Sequence, residues 1–224
     1  PIFEVFTPQQ LGQAEARRLL GLSENGPLLL MFGFVRRYKG LRYLLDALAQ
    51  AEQPAHLLVA GEFWEDEGAY REQIARLGLG ARVTLHNRYI ANEAIEPYFA
   101  AADALVLPYL TGSQSGVAMT AIHYGLPVIA SAVGGLAETV TDGESGLIVP
   151  PGNAAALARA IDRFFGENLG QRLRAATVQS RDRLSWAALI RIIEELSYEL
   201  ANAGASQTGR SQGADRPHGH RPSL

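Results

Sequence analysis

The sequence contains no cysteine. Disulfides, thiolate metal sites and thiol nucleophiles are therefore excluded, and a reducing compartment is permitted. It has little excess of either charge: 20 Lys+Arg against 23 Asp+Glu leave a formal −3, which argues against a general nucleic-acid binder. Long hydrophobic runs are missing too. Stretches such as residues 28–31 (LLLM) fall far short of the ~20 residues that span a bilayer. The opening PIFEVFTP carries neither the basic nor the apolar part of a signal peptide, so none is expected. Because the chain starts at proline, a fragment of a longer protein is expected. What is present is apolar material, 47% of 224 residues, ample for a core and incompatible with wholesale disorder.

That material is arranged in alternation. Short, nearly continuous aliphatic runs at 28–34, 56–61, 82–87, 104–108, 127–131 and 146–149 read as strands buried on both faces. Amphipathic stretches at 41–51, 65–77, 93–102, 116–124, 135–141 and 154–165 read as helices between and after them. The spacing implies βαβ units and a doubly wound parallel α/β sheet of about six strands. A first helix is expected over 7–20, with Thr7, Pro8 and Gln10 as its start signal. Two closing helices are expected over 169–181 and 185–203, the second with Leu189, Ile192, Ile193 and Leu196 on one stripe. From Gly204 the chain is rich in Gly, Ser, Pro, Arg and His, so 1–203 reads as one domain and 204–224 as a disordered tail.

In an open parallel sheet ligands gather outside the carboxyl ends of the strands, so the loops there are the candidate sites. The first runs Gly33-Phe34-Val35-Arg36-Arg37-Tyr38-Lys39-Gly40. Its cations and glycines, placed before a helix, suit an anion such as a diphosphate, although a solvated basic loop has the same composition. It is no Walker A loop, and no G-x-G-x-x-G follows a strand. The second is Gly61-Glu62, more simply read as turn punctuation; Glu65, Asp66 and Glu67 read as first-turn acids of the next helix. The third, Asn87-Arg88-Tyr89-Ile90, offers a ring and backbone to a flat base, or merely an edge aromatic. The fourth, Gly112-Ser113-Gln114-Ser115-Gly116-Val117, is small, polar and leads into a helix. Free amides there favour a phosphate or carboxylate, while Ser115 alone would serve as an ordinary N-cap. Asp103 reads as a cap on a strand start. No hydrolytic triad, nucleophile elbow or metal-ligand spacing is visible.

The ordered series FGFVRRYKGLRYLLDAL, HLLVAGE, LGLGARVTLHNRYI, YFAAADALVLPY, SGVAMTAIHYGLPVIASAVGGLAETVTDGESGLIVPPGN and LARAI resembles the C-terminal, donor-binding domain of GT-B glycosyltransferases of the family 4, group 1 type. The resemblance covers about residues 26–161, and Ser185-Trp186 is similar to the family's closing element. It implies a Rossmann-like half of a GT-B fold. The implied activity transfers a sugar from a nucleoside diphosphate to an acceptor hydroxyl, with retention. Arg36 and Lys39 are the implied diphosphate-holding, catalytic cations; the family's usual Arg falls at Phe34, with Arg36 as its substitute. Gly33, Gly61, Glu62, Arg88, Tyr89, Ile90, Ser113, Gln114, Ser115, Gly116, Val117 and Thr120 fall at donor-binding positions. The family's two glutamates of the fourth loop are absent, with Ser113 or Gln114 near one position and Thr120 near the other. No metal or other cofactor is implied. The implied partners are a nucleotide-sugar donor, an acceptor glycan, lipid-linked sugar or small molecule, and an N-terminal GT-B domain that this chain lacks. The implied location is cytoplasmic, or peripheral at the inner face of the membrane. A non-catalytic or split-subunit nucleotide-sugar-binding module is the competing reading; a nucleotide-sugar epimerase or a flavodoxin-like module are others.

Overall fold

The computed structural model describes residues 11–112, 114–183 and 186–208. Six short strands, β1 (Leu28–Phe32), β2 (His56–Ala60), β3 (Val83–His86), β4 (Ala104–Leu107), β5 (Val128–Ser131) and β6 (Gly146–Val149), form one sheet in the order β3-β2-β1-β4-β5-β6. Every neighbouring pair is parallel. Leu30 at the centre lies in register with Leu58 on one side and Leu105 on the other. Such strands need helices on both faces because neither face can meet water. Alternate residues therefore divide between two cores. Leu29, Met31, Leu57 and Val59 pack with α2 (Leu41–Gln50), α3 (Glu67–Arg76) and α7 (Ala154–Gly166). Leu28, Leu30, Leu58 and Leu105 pack with α1 (Gln13–Leu19), α4 (Glu96–Ala101), α5 (Gly116–His123) and the short α6 (Leu136–Thr139). Then come α8 (Leu169–Arg183) and α9 (Trp186–Thr208), the latter in a compact unit of its own. Among the described residues no helix is long and apolar enough to cross a membrane.

The alternation is as expected, with ends that differ. β1 stops at Phe32 because Gly33 has φ 93°, and α3 starts after Asp66, whose side chain caps Gly68 N at 2.9 Å. The helix expected over 93–102 is split into a single 3₁₀ turn (Asn92–Ala94) and α4. The first helix does not run unbroken from 7 to 20. Leu11 and Gly12 are not helical, Leu11 N donates to Glu96 Oε1 at 3.2 Å, and α1 begins at Gln13. A tertiary bond to α4 prevails there over helix continuation; the start signal at Thr7, Pro8 and Gln10 lies outside the described residues. At the other end α9 passes the boundary drawn at 203 and reaches Thr208, since Gly204 weakens a helix by only about 1 kcal/mol. Residues 209–224 of the expected tail lie outside the described residues.

Candidate functional site

The strand order turns back between β1 and β4, and the crevice of a doubly wound sheet lies outside the carboxyl ends of the strands at that point. The two walls are the loops that leave these strands. After β1 the backbone stays zipped to the chain after β2: Gly33 N donates to Ala60 O at 2.9 Å, Val35 N to Glu62 O at 2.9 Å and Trp64 N to Val35 O at 3.0 Å. A single 3₁₀ turn (Arg37–Lys39) follows and ends at Gly40, whose φ is 75°. A Cβ on Gly40 would lie 2.0 Å from Pro108 O, so the backbone after β4 occupies the space a side chain would need. Leu110 N donates to Tyr38 O at 2.7 Å, fastening one wall to the other.

Lys39 sits between them. It is 7% exposed, and its Nζ is 3.1 Å from where a Cβ on Gly33 would be, a point 3.6 Å from Val117 Cγ2. Nζ also lies 5.8 Å from the Tyr109 ring centroid, and no described carboxylate comes within salt-bridge reach of it. Burial, with the Arg36 charge as a second cause, holds the Lys39 ammonium down to about 8 from its ordinary 10.5. Across from it, Ser115 caps α5: its Oγ accepts from Ala118 N at 3.3 Å and lies 3.3 Å from Tyr109 Oη. The amides of Gly116 and Val117 open the helix, where the backbone offers them no acceptor. Tyr38, Lys39, Tyr109, Thr111, Gly112, Gln114, Ser115, Gly116 and Val117 enclose a hollow of about 430 Å³. A buried cation without a counter-charge, facing the positive end of a helix, is a place for an anion.

The structure thus brings Gly33, Lys39, Gln114, Ser115, Gly116 and Val117 together. Arg36 stands next door, its Cζ 3.8 Å from the Trp64 ring centroid, in an adjoining hollow. Gly61, with φ 143°, is where β2 meets the first loop: a Cβ there would lie 2.2 Å from Gly33 O, so its role is close packing of backbone. Glu62 is exposed. Arg88 Nη2 donates to Tyr98 Oη at 3.1 Å, which also meets His86 Nδ1 at 3.2 Å; the bond to Tyr98 raises the pKa of Arg88. Tyr89 is 67% exposed and free to receive a ring, whereas Ile90 packs against the core. Thr120 turns its hydroxyl back to Gly116 O at 3.0 Å. Ser113 lies outside the described residues. Sequence reasoning did not single out Tyr38, Tyr109 or Thr111 as walls; the run Pro108-Tyr109 directly after an aliphatic strand was the available signal.

A second, larger hollow of about 1160 Å³ opens at the opposite, amino ends of the strands, beside Pro27, Asp103 and Gly125. Its charges are already used. Asp103 accepts from Leu28 N at 2.8 Å, from Arg17 Nη2 at 3.1 Å and from Gln13 Nε2 at 2.9 Å, as befits a strand-start cap. Arg174 Nη2 donates to Ala102 O at 3.2 Å.

Comparison with known proteins gives the family and the fold. Residues 26–167 match the family model described as glycosyl transferases group 1. A D-inositol 3-phosphate glycosyltransferase of Frankia alni is 33% identical over 216 residues, covering 91% of this chain and 52% of the relative. Among solved structures, sucrose-phosphate synthase from Thermosynechococcus elongatus is 35% identical with a TM-score of 0.69, covering 88% of this chain and 51% of that one. HepE of Anabaena in complex with UDP is 26% identical with a TM-score of 0.70, covering 86% and 54%. The chain spans about half the length of the first curated relatives it matches. It belongs to the group 1 glycosyltransferases, and its six parallel strands form a Rossmann-like half of the kind expected at the C-terminal end of their GT-B fold.

Proposed function

We propose that this chain is the donor-binding half of a glycosyltransferase: it holds a nucleoside-diphosphate sugar, whose sugar passes to an acceptor hydroxyl, with retention, when an N-terminal acceptor domain closes over it. The observation that carries this reading is Lys39 Nζ, buried against Gly33 and Val117 at the start of α5 with no carboxylate partner among the described residues. A departing diphosphate gains negative charge as the glycosidic bond breaks. Fixed positive potential already in place stabilises that charge without reorganisation. Lys39 and the Gly116 and Val117 amides supply it, with no metal ion required, and the exposed Tyr89 ring stacks on the base. The acceptor is a glycan, a lipid-linked sugar or a small molecule met on the cytoplasmic side, and its contacts belong to the other half.

A second reading, binding without transfer, is favoured by Thr120. Its hydroxyl is spent on Gly116 O, so it does not replace the absent glutamate at that position. Both readings require a nucleoside diphosphate. UDP, GDP and ADP at millimolar concentration are titrated while the melting midpoint of the chain is followed. At least one is expected to raise it by several degrees, since ligand at ~100 times Kd adds about 2.7 kcal/mol; no shift with any of them refutes both.

A further inference from the structure

Arg36 has an extended backbone, φ −133° and ψ 153°, so its side chain leaves on the face opposite buried Val35. That direction takes it to Trp64, 28 positions away in sequence and brought close by the Trp64 N to Val35 O bond. The guanidinium lies over the indole at 3.8 Å from the ring centroid. Its Nε is buried without a hydrogen-bond partner, and no described residue forms a hydrogen bond or ion pair with the rest of the group. Phe34 closes on the same indole with ring centroids 4.9 Å apart. The hollow that Arg36 and Trp64 line, of about 600 Å³, shares Tyr38 and Thr111 with the Lys39 crevice. Trp64 is itself 55% exposed, so packing alone gives it little to do.

We infer that Trp64 is a positioning residue: its indole face holds the Arg36 guanidinium beside the Lys39 crevice so that the free N–H groups meet a diphosphate oxygen. The inference rests on the donor reading above. An arginine side chain has many rotamers, and ordering it at the moment of binding would cost affinity. Stacking orders it in advance, and leaves every donor but the buried Nε open to a ligand. The charge of Arg36 also reaches Lys39, where it is the second cause of the lowered ammonium pKa, so the two cations act over one region.

Calorimetric titration of the 224-residue chain tests this, using whichever of UDP, GDP and ADP binds it best. Arg36→Ala and Trp64→Ala are each expected to weaken binding about fivefold, the scale of one cation–π contact. Trp64→Phe, which keeps an aromatic face, stays within about twofold. The double variant R36A/W64A binds no more weakly than R36A alone, a coupling that a merely structural role for Trp64 would not produce. Melting midpoints of the empty variants check that each is folded. Undiminished affinity in W64A or in R36A, or losses that add in the double variant, overturns the positioning role while leaving the donor reading intact. Failure of all three diphosphates to bind the unsubstituted chain is a different result, which sinks the donor reading and this inference with it.

Discussion

The two ends of the sheet differ in how they treat charge. At the amino ends, the hollow of about 1160 Å³ is lined by polar groups whose needs are met within the fold: Asp103 accepts from Gln13, from Arg17 behind it and from the Leu28 amide, and Arg174 donates to Ala102 O. At the carboxyl ends, a hollow of about 430 Å³ contains a buried lysine that no described carboxylate balances. Size points to the first and chemistry to the second. A satisfied ion pair holds the chain together, whereas a desolvated cation left alone costs stability and is retained where something binds it.

The largest expected effect probes the satisfied end. Asp103→Ala leaves Arg17, whose side chain is 4% exposed, without its carboxylate, and Leu28 N without its acceptor. Urea denaturation should show a loss of about 3 kcal/mol, with diphosphate affinity of the folded protein unchanged. A variant that keeps its stability would erase the contrast.

Next comes the unbalanced end. Lys39→Met removes one charge-assisted contact, so calorimetry should show nucleoside-diphosphate binding weakened by about 2 kcal/mol. The empty variant should unfold no more easily than the parent, because a desolvated charge has gone. Arg174→Met is the control: its affinity for the diphosphate should equal the parent's, since its only described bond is to Ala102 O on the far side.

The smallest effect sharpens the comparison by pH. The folded value of Lys39, about 8, lies below its ordinary 10.5. Between the two the unfolded chain keeps a proton that the folded one has released, so the empty protein gains stability as pH rises through that window. Diphosphate affinity runs the other way, because a neutral amine attracts no anion, and at pH 9 it should be about tenfold lower than at pH 7. Arg36→Ala lifts a depressing charge from Lys39 and should move both trends to higher pH. Parallel rather than opposed slopes would mean that Lys39 does not meet the ligand.

Much of this was legible in the sequence because it is written locally. Continuous aliphatic runs placed all six strands, and the basic and small-residue turns identified both crevice walls. What was not legible depends on pairings far apart in the chain. That α1 begins only at Gln13 follows from Leu11 meeting Glu96, 85 positions on. The function of Gly61 as a spacer comes from the nearness of Gly33 O, and the site of Arg36 from Trp64. Thr120 reads as a donor contact by position, yet one rotamer returns its hydroxyl to its own helix. Periodicity announces a helix or a strand, but not which loop it will be tied to.

The contact of Gly40 with Pro108 O has an evolutionary consequence. Because any side chain at position 40 would collide with the opposite backbone, the spacing of the two walls cannot be kept by any residue but glycine there. Room for change is left at the rims, around Phe34 and Trp64 on one bank and Thr111 and Gln114 on the other, while Gly40 keeps the gap between the banks.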